Sequence, residues 1–490
     1  MPTLARLLLV SACLLGAPLS VMADELPEDT NTIKSLTVEE ARKLADGFQG
    51  AVVVVNSNRC GEKLALEKCL PLNGLKSVDA ETAEALAGYD KGPLFLDGLT
   101  TLSGDVAKAL ARHKGLLSLD GLTTLSGETA EALAQYYFCH LSLDGLTTLS
   151  VEAAKALSRH QGSLSLGGLT TLSDDAVKAM AEHTGDLHLD GLPTLSDDAA
   201  KALSQKHGVT LSLNGLTKLS DEAAEALAQH QGFSLLLDGL TTLSVEAAAA
   251  LAQHKGELLS LNGLTTLSND AVKALAGHNG GLAVDGLTTL SDESAKVLGQ
   301  RRGWFLSLNG LTTLDAATAR ALSKHEGELY LDGLTALSVE AAEALAKHQH
   351  ELNLCGLTAL CAKAAKALTQ HKAFLTLKGL TTLSAEAANA LAAADGWDGA
   401  LPKLTALDSP DSVAIAKALA TREGRLSLPN LKRASPKTLT ALIEKRDVEI
   451  PLIVTLELIP EPDGSTTDRV VLPEWLEERQ KQQRAEQQPK

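Results

Sequence analysis

Histidine returns along this chain at near-constant spacing. His113, His160, His183, His207, His230, His254, His278, His325, His348 and His371 stand 23 or 24 residues apart, or twice that. A column of imidazoles could hold a transition metal or titrate together at about pH 6.5. We favour a structural reading. His113 follows Leu110 by three residues, at the C-terminal end of a helix and towards the packed edge. There it can bond free carbonyls and sits well with the negative end of the helix dipole.

A second column contains turn acids and amides: Asp97, Asp120, Asp144, Asp190, Asn214, Asp238, Asn262, Asp285, Asn309 and Asp332. Stacked carboxylates are oxygen ligands suited to calcium. However, no G-G-x-G-x-D pattern is present, and Gly167, Cys355 and Lys378 interrupt the column. We therefore expect these residues to bond their own turn backbone and keep one face acidic. A third column is mostly serine: Ser118, Ser142, Ser165, Ser212, Ser260, Ser307 and Ser427. None is paired with a His and an acid as a nucleophile would be, so it reads as a solvated surface. The departures from serine carry more information. Phe95, His188, Leu236, Tyr330 and Asn353 put larger side chains on that face, where they could anchor a partner. With the neighbouring Asp190, Asp238 and Asp332 they form the candidate binding set. No P-loop, dinucleotide glycine fingerprint or H-E-x-x-H occurs. We assign no catalytic residue, metal ligand or cofactor, and expect a protein that is not an enzyme.

The elements that position these columns are repeated units. Leu211 to Gly232 (LSLNGLTKLSDEAAEALAQHQG) reads as a short strand, a turn at Asn214-Gly215, apolar Leu216 and Leu219, a helix, and a stop at Gly232. The Gly-Leu pair begins at residues 74, 98, 121, 145, 168, 191, 215, 239, 263, 286, 310, 333, 356 and 379, in steps of 23 or 24. Such regularity marks a repeat array. In Leu117-Ser118-Leu119-Asp120 the leucines point inward and the polar residues outward. Gly121 tolerates the tight backbone that ends the strand, and Ser126 is placed to cap the next helix. Ser103 to His113 reads as a helix of eleven residues, about 16 Å long, with Gly115 as a left-handed stop. A helix this short needs stacked neighbours to bury its apolar face.

LSLNGLTKLSDEAAEALA resembles the leucine-rich repeat, closest in style to the cysteine-containing subclass with its L-x-L-x-x-C-x-x-I-T-D pattern. Leu216 stands at the Cys or Asn position, Leu219 at the Ile, and Ser220-Asp221 at the Thr-Asp. The resemblance covers roughly residues 60–430. It implies an α/β leucine-rich-repeat-like solenoid: a curved horseshoe with a parallel β-sheet on its concave face and helices on its convex face, commonly used for binding proteins.

The chain ends depart from the pattern. Arg6, the apolar Leu7 to Val21 and the small residues to Ala23 read as a signal peptide (1–23) cleaved before Asp24. A lipoprotein site at Cys13 is the less favoured reading, because only six residues separate it from Arg6. Residues 24–69 form an N-terminal cap, with Cys60 and Cys69 as a disulfide candidate for an oxidising compartment. The solenoid runs over 70–400. Degenerate repeats and a C-terminal cap follow over 401–459, where Val448 to Leu458 is β-rich, and a polar tail over 460–490 reads as a frayed helix or disorder. Tyr136-Tyr137-Phe138 interrupts one helix end, as a packing change or an exposed contact.

The 490 residues carry a formal charge of −17 and only 3% aromatics. The charge excludes nucleic acid as the expected partner and disfavours an anionic membrane surface. No later segment suits a transmembrane helix. The expected function is an exported leucine-rich-repeat protein, secreted or in the periplasm or cell envelope. It would bind protein or another envelope component, with a basic partner compatible, through an acidic concave face. The alternative is a structural or adhesive surface protein without a specific soluble ligand.

Overall fold

A computed structural model describes residues 29–56, 63–136, 140–206, 208–461, 470 and 473–487. The expected signal peptide, the Cys13 alternative, Cys60, His207 and Tyr137-Phe138 lie outside the described residues.

Each repeat is set by two leucines one residue apart. Leu117 and Leu119 are fully buried on one side of a two-residue strand, Leu117–Ser118. The chain then turns tightly: the Leu122 amide donates to the Leu119 carbonyl at 3.1 Å, and Leu122 joins the core. Ser126 accepts from the Thr129 amide and starts the helix Gly127–Ala134, whose Ala130 and Leu133 are buried. The same serine cap recurs at Ser103, Ser150, Ser173, Ser196, Ser220 and Ser244. It satisfies one of the amides that every helix start leaves open.

The repeat helices are shorter than the eleven residues expected. The one after Ser103 spans Gly104–Leu110, and the His113 amide then bonds the Leu110 carbonyl at 3.0 Å. That tight closing turn swings the histidine into the interior. Gly115 also acts differently from the left-handed stop expected of it. Gly115 and Gly121 are not left-handed. A Cβ at Gly121 would come 2.0 Å from the Asp97 carbonyl oxygen, and one at Gly115 would come 2.4 Å from that of Gly92. Close approach of the preceding repeat requires both glycines.

The chain forms two units, residues 1–283 and 284–490. In the first, β1 (Ala51–Asn56) and β2 (Lys63–Pro71) make an antiparallel hairpin at the edge of the sheet. Parallel pairing then runs in chain order, from β2 with Leu94–Phe95 to Leu258–Ser260 with Gly281–Ala283. In the second unit, Phe305–Ser307, Glu328–Tyr330, Leu352–Asn353 and Leu375–Thr376 pair in the same parallel order. A helix follows each strand, so each unit has a parallel sheet on one side and a row of helices on the other. Leucine and alanine dominate the interior between them.

In the C-terminal region the β-rich stretch is divided, and the tail takes the helical of its two expected forms. Val448 to Leu458 does not form one strand. Val448–Glu449 pairs with Leu426–Ser427, whereas Glu457–Leu458 pairs with Arg433–Ala434 in a separate small sheet. A 3-10 turn at Ile453–Thr455 divides them. The polar tail contains a helix, Glu474–Gln487, held by buried Leu476 and by a bond from Arg479 to the Val448 carbonyl. Of the two cysteines expected to pair, Cys60 lies outside the described residues. Cys69 is a free thiol, wholly buried beside Phe95, with Sγ 3.3 Å from the Ala51 carbonyl, and burial pushes its pKa up to about 11.

Candidate binding face

Two ladders of side chains hold the repeats in register, and the sheet face lies against one of them. Each turn carboxylate reaches into the following repeat, not back to its own turn. Asp97 Oδ1 accepts from the Ser118 hydroxyl at 2.5 Å and the Asp120 amide at 3.1 Å. Asp120 does the same with Ser142 and Asp144, Asp190 with Ser212 and Asn214, and Asp238 with Ser260 and Asn262. In the second unit Asp285 accepts from Ser307 and Asn309. This corrects the expectation that these acids bond their own backbone. It also explains why the serine column repeats: each hydroxyl is a donor in the ladder.

The alternation of Asp and Asn follows from the same geometry. Where the next face residue is neither serine nor threonine, the preceding turn carries an amide in several repeats, while Gly167 precedes His188. Asn73 precedes Phe95, Asn214 precedes Leu236 and Asn309 precedes Tyr330. Each of these amides accepts only the backbone amide of the next turn, at 3.0, 2.8 and 2.8 Å. The spare NH2 of Asn214 or Asn309 donates to the serine of its own repeat. A carboxylate there would lose a donor and keep its charge half-buried. Asp332 before Asn353 departs from this rule, accepting from the Cys355 amide alone at 2.8 Å. Burial raises the pKa of Asp332, Asp120 and Asp190.

The histidines form the second ladder, inside the fold. His113, His160, His183, His230, His254 and His278 are buried in the first unit, and His325, His348 and His371 in the second. Rings stack at 6.0 Å between His160 and His183, His230 and His254, and His254 and His278. His160 Nδ1 lies 2.7 Å from the Tyr136 carbonyl, and His325 Nδ1 lies 3.1 Å from that of Arg301, one repeat earlier in each case. Tyr89, Tyr136, Lys206 and Arg301 fill the same slot, each with its amide bonded to the leucine three residues before. Lys206 takes the place expected of His207, and Tyr136 is a buried packing residue stacked on His160. Burial is the largest cause of the downward pKa shifts, to about 4 at His183, His325 and His348. Among the described residues no group of three His, Cys, Asp or Glu could hold a metal ion.

The candidate binding residues are not gathered at one place. Phe95 is buried with Cys69, next to Ala51 and Leu116, close under the hairpin. His188 and Leu236 are half-buried, on strands separated by that of Ser212, so roughly 10 Å apart. His188 also faces His140 edge-on at 6.2 Å, and His140 Nδ1 is 2.9 Å from the Ser163 hydroxyl. In the second unit Tyr330 and Asn353 are register partners on adjacent strands. Tyr330 sits edge-to-face with Phe305 at 5.8 Å, and Phe305 with Trp304 at 4.4 Å. The Tyr330 hydroxyl donates to Glu328 at 2.6 Å, and the Asn353 amide to Glu351 at 2.9 Å. Trp304 lies three residues, and Phe305, Glu328 and Glu351 two residues, before the serine position of their strands, so the serine column does not reveal them.

With one strand, one ladder turn and one helix every 23 or 24 residues, the architecture is settled. It is a leucine-rich-repeat-type solenoid. Neither a protein-family model nor a curated protein sequence matches the chain. Its structural neighbours are leucine-rich-repeat proteins. One from Leptospira interrogans is 22% identical, covers 78% of this chain and 94% of its own, and has a TM-score of 0.42. An internalin of Listeria monocytogenes is 14% identical over 76% of this chain and 93% of its own, with a TM-score of 0.37. TLR13, solved in complex with ssRNA13, is 16% identical over 83% of this chain and 71% of its own, with a TM-score of 0.43. No helix among the described residues is long and apolar enough to cross a membrane.

Proposed function

We propose that this chain is an exported, non-enzymatic binding protein that takes a protein or another envelope component on its acidic sheet face, the concave face of such a solenoid. The observation carrying this reading is the amide at Asn214 and Asn309. The ladder accommodates a bulky residue at half-buried Leu236 and at Tyr330, 7% exposed, without stranding a carboxylate. In this proposal residues 1–23 are the cleaved leader, 24–69 the N-terminal cap, 70–400 the solenoid, 401–459 the C-terminal cap and 460–490 the tail. The repeats belong with the cysteine-containing type in style, and the −17 charge suits a basic partner.

Affinity capture with residues 24–490 tests the proposal. A specific partner should be retained by the wild-type chain and lost in a variant carrying Asp190→Lys, Leu236→Ala and Tyr330→Ala. Equal retention by both would overturn it. Fractionation with the cell envelope and no retained partner would favour the structural or adhesive reading.

A further inference from the structure

We propose that the patch formed by Trp304, Phe305, Tyr330, Glu328 and Glu351 docks an arginine- or lysine-bearing segment of a basic polypeptide. This rests on the binding role proposed above and gives that role a place and a chemistry.

The first observation is aromatic clustering. The chain has three Trp, four Tyr and six Phe in 490 residues, yet Trp304, Phe305 and Tyr330 touch in sequence across two adjacent strands. Trp304 is 39% exposed, so one face of the cluster meets solvent. The second observation is charge. The Glu351 carbonyl accepts from the Leu329 amide, which places Glu328 and Glu351 side by side on neighbouring strands roughly 4.8 Å apart. Like charges in that position repel. Among the described residues neither acid is in an ion pair with Lys or Arg. Each instead holds a neutral donor from its own strand, Tyr330 or Asn353, which fixes the carboxylate. Both acids are half-buried, in a setting that strengthens their attraction for a cation.

An exposed indole beside two fixed, unpaired carboxylates suits a guanidinium or ammonium group. The cation can lie over the ring face and bond the acids at its edge. The rings here meet at 73° and 82°, so Trp304 alone presents its face to solvent. The paired acids favour a cationic chain over a neutral glycan.

The probe is a fluorescent eight-residue alternating Gly-Arg peptide, titrated against residues 24–490 at low and moderate salt and read by anisotropy. Saturable binding is expected for the wild-type chain, weakened roughly ten-fold by Trp304→Ala and at least as much by Glu328→Gln with Glu351→Gln. Glu340→Gln with Glu343→Gln removes the same charge from an exposed helix and should leave binding unchanged. Circular dichroism confirms that each variant is folded. An absence of peptide binding overturns the inference, as does an equal loss in both charge-matched variants. Binding of cellohexaose that depends on Trp304 but not on the two acids would also overturn it, in favour of a glycan. A partner captured through Asp190 and Leu236 but unaffected by Trp304→Ala would leave the broader proposal standing and refute this one.

Discussion

Lowering the pH from 8 to 5 should weaken this fold through its buried imidazoles. Burial brings His183, His325 and His348 from 6.5 down to about 4. Neighbouring basic groups push the same way: Lys206 and His160 at His183, Arg301 and His348 at His325, and His371 and His350 at His348. In the unfolded chain each ring takes a proton as the pH passes 6.5, whereas in the folded chain none does until the pH nears 4. The unfolded state therefore holds more protons across that window, and stability falls as pH falls through it. At pH 5 the gap from 6.5 is about 1.5 units, worth about 2 kcal/mol for each imidazole. His325 and His348 share the second unit, which would lose up to about 4 kcal/mol, a large part of the stability of an ordinary domain. Asp120, Asp190 and Asp332, with raised pKa values, act in the opposite sense above 3.8, so the comparison stops at pH 5. The assay is urea unfolding followed by circular dichroism at pH 8, 6.5 and 5. His348→Tyr serves as the internal control, because Tyr89 and Tyr136 already fill the same slot. The variant should recover about 2 kcal/mol of the loss at pH 5. A wild-type midpoint that does not move between pH 8 and 5 refutes the reasoning, and so does a His348→Tyr variant with the same pH dependence.

Lys206, buried with Nζ 2.6 Å from the Gly185 carbonyl, is pushed down to about 8, so stability should keep rising between pH 8 and 10. Lys206→Met should flatten that rise in urea midpoints. Removing the Ser260 hydroxyl leaves Asp238 with the Asn262 amide as its one remaining ladder donor. Ser260→Ala should therefore be less damaging on an Asp238→Asn background, with a coupling of about 0.5–2 kcal/mol in a double-mutant cycle. Gly121→Ala drives a Cβ against the Asp97 carbonyl and should cost about 2 kcal/mol or more. Gly127→Ala meets nothing nearer than Glu152 Cβ at 3.5 Å and should gain about 0.5 kcal/mol, both read as shifts in thermal midpoint.

Whatever depends on period was legible in the sequence. Leu117 and Leu119 announce a strand with one buried side, Ser126 a helix start, and the recurring Gly-Leu pair a stack. Whatever depends on contact between repeats was not. Gly115 reads as a left-handed stop because spacing along one repeat says nothing of the Gly92 carbonyl that the previous repeat places beside it. The turn acids read as bonding locally for the same reason, since their partners lie 21 to 24 residues away. The aromatic patch does not show in the serine column, because Trp304 and Phe305 precede that position on their strand.

The Asp and Asn pattern was in plain view, and its logic is what connects the frame to the face. A stack must carry a donor and an acceptor from each repeat to the next, and a serine hydroxyl on the sheet face supplies one of them. That ties the surface to the ladder: exchanging serine for a large side chain removes a donor from the preceding acid, as at Asp332 before Asn353, unless that acid changes too. Asn214 before Leu236 and Asn309 before Tyr330 are such paired changes. A face residue that varied only by drift would more often leave an unbonded aspartate behind it. The coupled substitutions place the bulky side chains among the features that the frame has been adjusted to hold.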